Sequence, residues 1–513
     1  MNPIIPGFAP DPSIVLVGDT FFLVNSSFHI FPGLPVYAST DLVSWRHITN
    51  AFNRREQLSL QASDTKHSPA GDSGEVMSAT GGLYAPTIRH HDGTFYVICT
   101  NVVRGTEEDK GDRTQNFIIT TTDIYSHNWS DPVFFDFDGI DTSLVWDDQG
   151  RAYVHGSAAP GPGTTIKLFE IDVKSGAKLS SETLIWEGTG GDWPEGPHIY
   201  RKDGWWYLVI SEGGTFEDHM ITVARSKHLY GPYEPNPHNP ILTARGTDEY
   251  IQHTGHCDLF CDKQGQWWCV CLAVRKDPER RFILGRETFI TPGAWAEGEW
   301  PTLQPVKMDP EAVYCRKVGK PSALSSEPLV DFCYIRDVDL ARHHISSDGK
   351  TIQLKSSDAD LSDTRGQVSF VGKRQRTLAG QSSATLLAPP RGFIGKTGVA
   401  VYKDEFRFAR TYLDLETGEM VLEVVNTPKQ ICRRTRKSCA ADVADKAIEL
   451  RLEYQEDSYT FSFSTAGDDD RIKFDVFDTM DLVGLDFTGP IVGVFLTSSQ
   501  DGCRVTFCDL QVD

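Results

Sequence analysis

Five times between residues 17 and 274 the chain repeats one phrase, a Gly/Asp turn followed by a run of aromatic and apolar β-formers. The copies are 17–27 (VGDTFFLVNSS), 91–100 (HDGTFYVICT), 147–157 (DDQGRAYVHGS), 202–211 (KDGWWYLVIS) and 262–274 (DKQGQWWCVCLAV). An Asp-Gly or Gly-Asp turn followed by alternating β-formers is the strongest short-range hairpin signal a sequence offers. Recurrence of one hairpin at intervals of roughly 55 to 75 residues is the pattern of radially repeated sheets, in which each blade covers its neighbour's edge. Five copies predict an all-β chain built on a five-bladed β-propeller. A second phrase recurs in phase, Ser39-Thr40-Asp41-Leu42-Val43-Ser44-Trp45, then 122–129 (TDIYSHNW) and 226–233 (SKHLYGPY), each ending in an aromatic. These are predicted to be outer strands whose aromatic packs between blades.

At 513 residues the chain exceeds one comfortable core, so two domains are expected. The repeats fade after Trp300, and 306–326 carries Pro, Ser, Lys and Gly without a strand period. The expected organisation is a propeller over 1–315, a linker over 316–327 and a β-sandwich over 328–513. The sandwich rests on short alternating strands at 366–371, 399–402, 447–454 and 459–464, with almost no helical periodicity.

Formal net charge is −21 and no basic run is long enough to track a phosphate backbone, which argues against nucleic acid as a partner. The most basic stretch, 429–437, is expected to be an exposed loop. No apolar run approaches the roughly 20 residues of a membrane helix, so no membrane partner is expected. Eleven cysteines occur. Cys99, Cys257, Cys261, Cys269, Cys271, Cys315, Cys333, Cys503 and Cys508 lie in strand patterns and are expected to be buried thiols. The spacing of Cys257, Cys261, Cys269 and Cys271 fits no ordinary zinc pattern, while Cys432 and Cys439 are placed to bridge a loop in an oxidising compartment. The N-terminus carries no signal-peptide pattern, which with the odd cysteine count favours the cytoplasm, or secretion if a leader has been removed. Sequence leaves the oligomeric state open.

Strands entering a propeller start near its axis, so acids at their inner ends converge on one pocket. Asp11 stands between Pro10 and Pro12, which restrict the backbone on both sides and aim the carboxylate. Asp141 begins the strand leading to the third hairpin, and Glu195 occupies the equivalent place before the fourth, held between Pro194 and Gly196-Pro197 beside Trp193. Confined there, Glu195 is expected to be partly buried with a raised pKa, as a general acid requires. Phase-matched carboxylates in a rigid cup suit glycoside hydrolysis, in which one acid protonates the leaving oxygen and another activates water. Phe28, Phe31, Tyr84 and Trp193 lie near the same phase and are candidate platforms for sugar rings.

At these residues the chain resembles glycoside hydrolase family 43, inverting five-bladed propeller enzymes that remove arabinofuranosyl or xylosyl units from plant polysaccharides. Asn2-Pro3, Gly7 and Pro10-Asp11-Pro12-Ser13 resemble the opening motif, which implies Asp11 as general base. Ile140-Asp141-Thr142-Ser143 resembles the strand of the third carboxylate, which implies that Asp141 orients the acid and raises its pKa, and Glu195-Gly196-Pro197 resembles the general-acid motif. The resemblance implies further that His256, in Thr254-Gly255-His256, lies deep in the channel, sometimes near a calcium ion, and that Arg286, in Gly285-Arg286-Glu287-Thr288, reaches the sugar and the carboxylates. No cofactor is implied to be required, with one channel calcium the only candidate. The second domain resembles the concanavalin-like sandwich of one branch, which packs on the propeller and shapes the rim.

Substrate choice divides within this resemblance. Two-domain β-xylosidases of the family tend to carry Phe-Glu-Trp-Phe-Pro-Gly after the first hairpin, where this chain has Phe28-His29-Ile30-Phe31-Pro32-Gly33. With His29-Ile30 at the rim, the expected activity is release of terminal α-L-arabinofuranosyl units from arabinoxylan or its oligosaccharides. The alternatives are an exo-acting β-xylosidase on xylo-oligosaccharides and, in another class, a non-catalytic carbohydrate-binding propeller.

Overall fold

The computed structural model describes residues 2–70, 74–106, 111–158, 163–310, 324–390, 392–438, 446–465 and 470–513. Each repeated hairpin forms the two inner strands of an antiparallel sheet. The first blade is Ser13–Val17, Thr20–Val24, Gly33–Ser39 and Arg46–Phe52. The next three have Gly82–His91, Gly139–Trp146 and Glu195–Lys202 as innermost strands, and the fifth runs from Ile251–Cys261 outward to Thr302–Leu303. The innermost strands contact one another in a closed ring. The N-terminus locks that ring: Ile5 bridges Thr288 in the fifth blade, and the Asn2 side chain bonds Ile290 through both its oxygen and its nitrogen.

The second repeated phrase differs from its expectation. Asp41 Oδ1 accepts from the Val43 and Ser44 amides at 2.8 and 2.7 Å, so the segment closes into a side-chain-capped turn instead of extending. Trp45, Trp129 and Tyr233 are buried among residues of a neighbouring blade, as expected, but each stands ahead of the outermost strand of its own.

All five innermost strands meet at a polar plug below the pocket. Asp258 of the fifth blade accepts from Arg89 Nη1 of the second at 2.8 Å, Ser13 Oγ of the first at 2.7 Å and Tyr200 Oη of the fourth at 2.6 Å. Arg89 Nη2 donates to His198 Nδ1 at 2.9 Å, and Ser143 of the third blade lies 3.1 Å from the same nitrogen. Burial alone would push the Asp258 carboxyl up, but Arg89, His198 and the Tyr200 hydroxyl together outweigh it and hold it well below the usual carboxylate range.

Ser325–Ser326 adds a parallel strand to the first blade beside Arg46–Phe52, and from His343 onward the chain forms a sandwich of an eight-stranded and a six-stranded sheet. Ile448–Tyr454 alternates fully buried Ile448, Leu450, Leu452 and Tyr454 with partly exposed Glu449, Arg451 and Glu453, the pattern of a sheet with one wet face. Lys396–Asp404 is buried almost throughout, because the six-stranded sheet packs on the propeller with its outer face. The strand expected over 366–371 begins only at Phe370, since Gly366 turns at φ +110° and Ser357 Oγ takes the Gln367 carbonyl. The basic stretch expected to be a loop is the edge strand Ile431–Lys437, its arginines paired with Asp481, Glu423 and Glu419. Among the described residues the only helical pieces are two short 3-10 turns, and no helix is long and apolar enough to cross a membrane. Most of the expected linker, with Cys315, lies outside the described residues, as does Cys439 of the expected loop bridge. The nine described cysteines are free; of these Cys432 is exposed and most others are buried.

Candidate functional site

One cavity of about 1290 Å³ opens over the propeller axis, and it gathers Asp11, Asp141, Glu195, Phe28, Tyr84, Trp193, His256 and Arg286. Five of these residues adopt left-handed backbone conformations that side chains other than glycine rarely take: Asp11 at φ +51°, Phe28 at +49°, Asp141 at +55°, Trp193 at +58° and His256 at +44°. Each such conformation costs about 1–3 kcal/mol, and clustering at one cavity marks where the fold over-determines its backbone.

Asp11 is held from two sides. Ser26 Oγ donates to its Oδ2 at 2.5 Å and is fixed in turn by the Ala85 amide at 2.7 Å, while Arg286 Nη1 reaches Oδ1 at 3.3 Å. His256 Nδ1 lies 4.0 Å from the same oxygen. Burial favours the neutral acid, but Arg286, His256 and the Ser26 hydroxyl together outweigh it, so Asp11 is a carboxylate below its ordinary pKa.

Glu195 is the opposite case. It stands at the head of its strand, where Ser157 Oγ and Thr164 Oγ1 hold the preceding Pro194 carbonyl at 2.7 and 2.9 Å. Among the described residues no Lys or Arg forms an ion pair with it, and burial reinforced by Asp141 and then Asp11 pushes its pKa well above the ordinary value. Asp141 Oδ2 accepts from the Gly196 amide at 3.0 Å, tying it to the backbone next to Glu195, and burial raises Asp141 as well. The site thus holds one carboxyl pushed toward its ionised form and one pushed toward its neutral form, with a third acid bonded to the backbone beside the latter.

Two expectations at the rim need correction. Phe31 is only 4 % exposed and packs against Phe52 and Tyr334, so it is core and not a sugar platform. His29 and Ile30 are likewise buried away from the cavity: the His29 ring meets Tyr402 of the sandwich, and burial among Arg336 and its neighbours lowers its pKa to about 3. The reason is the strand pairing Ile30–Phe31 with Tyr334–Ile335, which turns that segment toward the sandwich.

Several cavity residues escape the sequence reading. Phe487 of the sandwich lies 5.8 Å from Phe28 and 5.9 Å from Tyr84, and its carbonyl accepts from Arg286 Nη2 at 3.1 Å. The hairpin Thr65–Ala70 and Glu75–Thr80 walls the cavity and pairs in parallel with Leu485–Asp486, forming a sheet shared by propeller and sandwich. Thr215 Oγ1 takes Arg286 Nη1 at 2.9 Å, and His219 lines the wall beside Glu195. Their only sequence signal was the Gly213-Gly214 pair after a strand, which marks a turn and no chemistry.

Around His256 the donors do not suit a calcium ion, which takes six to eight oxygens. The carboxylate beneath, Asp258, is already neutralised by Arg89, and no group of three or more His, Cys, Asp or Glu side chains among the described residues is arranged to hold a metal.

Comparison with known proteins places both units of the chain in one enzyme family. Residues 1–301 match the model of glycosyl hydrolases family 43, and residues 326–509 match the β-xylosidase C-terminal concanavalin A-like domain. A non-reducing end α-L-arabinofuranosidase of Bacteroides ovatus is 33% identical over 91% of this chain and 85% of its own. A xylosidase/arabinosidase of Butyrivibrio fibrisolvens is 36% identical over 76% of this chain and 75% of its own. The crystal structure of a xylan β-1,4-xylosidase from Bacillus halodurans superposes with a TM-score of 0.83 at 26% identity, covering 99% of this chain and 98% of that one. With one family model spanning the propeller, a second the sandwich, and paired acids at the head of one cavity, the chain belongs to glycoside hydrolase family 43.

Proposed function

We propose that the protein is an inverting exo-glycosidase that releases terminal α-L-arabinofuranosyl units from arabinoxylan or arabinoxylo-oligosaccharides. The observation that carries the reading is the opposed pair at the head of one walled cavity, Asp11 with its pKa depressed and Glu195 with its pKa raised. In this scheme water attacks the anomeric carbon and gives its proton to Asp11. The glycosidic C–O bond breaks and Glu195 protonates the departing oxygen, in one displacement with inversion. Asp141 keeps Glu195 oriented and protonated, and Arg286 keeps Asp11 ionised. A sugar-binding module has no use for a carboxyl held neutral beside a carboxylate.

The named activity of the Bacteroides ovatus relative supports arabinose as the released sugar. A β-xylosidase is the second reading, favoured by the Bacillus halodurans likeness and by the burial of His29 and Ile30, which removes the one rim difference that pointed away from it. Product analysis separates them. Free arabinose from arabinoxylan, in the inverted anomeric form by early-time NMR, is the expected result. Xylose released stepwise from xylo-oligosaccharides without arabinose overturns the sugar, and a retained anomer overturns the mechanism. Glu195→Ala is expected to cut turnover on natural glycosides by at least ~100-fold and on an aryl glycoside, whose leaving group scarcely needs an acid, far less.

A further inference from the structure

His219 is buried in the wall beside the acid, 1 % exposed, with its Nε2 atom 4.0 Å from Glu195 Oε1. Its other nitrogen, Nδ1, lies 3.2 Å from the His253 carbonyl. A carbonyl only accepts, so Nδ1 carries the hydrogen. Burial lowers the His219 pKa to about 3, so the ring stays neutral across the working range and Nε2 offers a lone pair and nothing else. Among the described residues that nitrogen has no hydrogen-bond partner, and a buried acceptor without one costs about 1–3 kcal/mol. The ring lies flat on Gly255, where a Cβ would fall 2.1–2.2 Å from three ring atoms, so only glycine there lets the imidazole reach Glu195.

We infer that His219 is the positioning residue of the acid, presenting an imidazole lone pair that faces the Glu195 carboxyl from 4.0 Å, repels its carboxylate form and accepts the hydrogen bond of its protonated form once substrate binding closes that gap. The inference rests on Glu195 as the proton donor. The other charged groups acting on Glu195 come from three separate elements, Asp141 from Gly139–Trp146, Asp11 from the segment before Ser13–Val17 and Arg286 from the segment before Glu287–Ala294, while His256 from Ile251–Cys261 acts on Asp141. Asp141 and Asp11 act by charge and favour the neutral acid without directing its proton, and Arg286 opposes them. His219 adds direction, because its acceptor points at one oxygen.

The test is the pH profile of kcat/KM on an arabinoxylo-oligosaccharide and on an aryl arabinofuranoside, for His219→Phe, which keeps a flat ring and removes the lone pair, and for Gly255→Ala, which keeps the histidine in the sequence but pushes its ring away from Glu195. Both are expected to move the alkaline limb to lower pH by about half a unit to one unit and to lower oligosaccharide turnover ~10-fold or more, with a much smaller loss on the aryl substrate. An unmoved limb with equal losses on both substrates, in variants whose thermal unfolding matches the parent, overturns the inference. Glu195→Gln separates this from failure of the underlying reading: if that variant keeps the parental alkaline limb, Glu195 is not the acid and His219 has no carboxyl to serve.

Discussion

At the level of single residues, the site works by making two carboxyl groups differ. Asp11 is depressed by Arg286, His256 and Ser26, whereas Glu195 is raised by burial and by the two neighbouring acids. Activity is therefore expected to fall at low pH as Asp11 takes up a proton and at high pH as Glu195 loses one, giving a bell. Arg286→Met removes the cation beside Asp11, so the acidic limb is expected to shift to higher pH, and an unmoved limb would show that another group sets it. These acids were legible in the sequence because proline and glycine flank them, and flanking residues are local. Thr215 and His219 were not: neither carries a local mark, and their roles come from partners far along the chain, Arg286 and Glu195.

At the level of elements, the acid's loop is organised around one buried carboxylate. Glu212, fully buried at the end of Trp205–Glu212, accepts from the Thr189 amide at 2.8 Å, the Gly191 amide at 3.1 Å and the Thr189 hydroxyl at 3.0 Å. Gly188 is required there, since a Cβ would sit 2.6 Å from Glu212 Oε1. Glu212→Ala leaves those amides without their acceptor and is expected to destabilise the fold by about 1–3 kcal/mol, read as a lowered Tm. A second element, the strand Leu485–Asp486, delivers Phe487. Lys403 Nζ bonds Asp486 at 2.6 Å, and Arg407 pairs with Asp486 and Asp404, all of them buried. Burial of a Phe ring contributes about 1.5–3 kcal/mol, so Phe487→Ala is expected to lower kcat/KM by roughly 10- to 100-fold with the fold intact. A loss under about twofold would place this ring outside the bound complex. The hairpins themselves were legible because turn chemistry and period-2 alternation are local, but the two strands that meet between propeller and sandwich were not, since each is short and gains its partner only from the other unit.

At the level of the whole molecule, propeller and sandwich share their apolar cores. Phe8, Phe28 and Ile30 cluster with Ile335, Phe370, Tyr402, Phe408 and Phe495, so the pocket wall formed by Phe28 is backed by the sandwich. Thermal unfolding is expected to show one cooperative transition, and two well-separated transitions would contradict the shared core. Within the propeller, Asp258 ties the blades together through Arg89, Ser13 and Tyr200. Arg89→Met leaves that carboxylate buried without its cation, a loss of about 3–5 kcal/mol. Because Asp258 is depressed in the folded state, its contribution is present above its unfolded pKa and fades as pH falls through the folded value. The variant's deficit in Tm is therefore expected to shrink toward acid pH. What the sequence determined by itself was whatever short-range physics controls: five hairpins, an all-β chain, and acids pinned by neighbouring prolines. What only the tertiary structure decided was which side chains face the cavity. His29 and Phe31 turn away into the sandwich, while Phe487 arrives from more than 450 residues beyond Phe28, because facing is set by packing between distant segments and no local pattern encodes it.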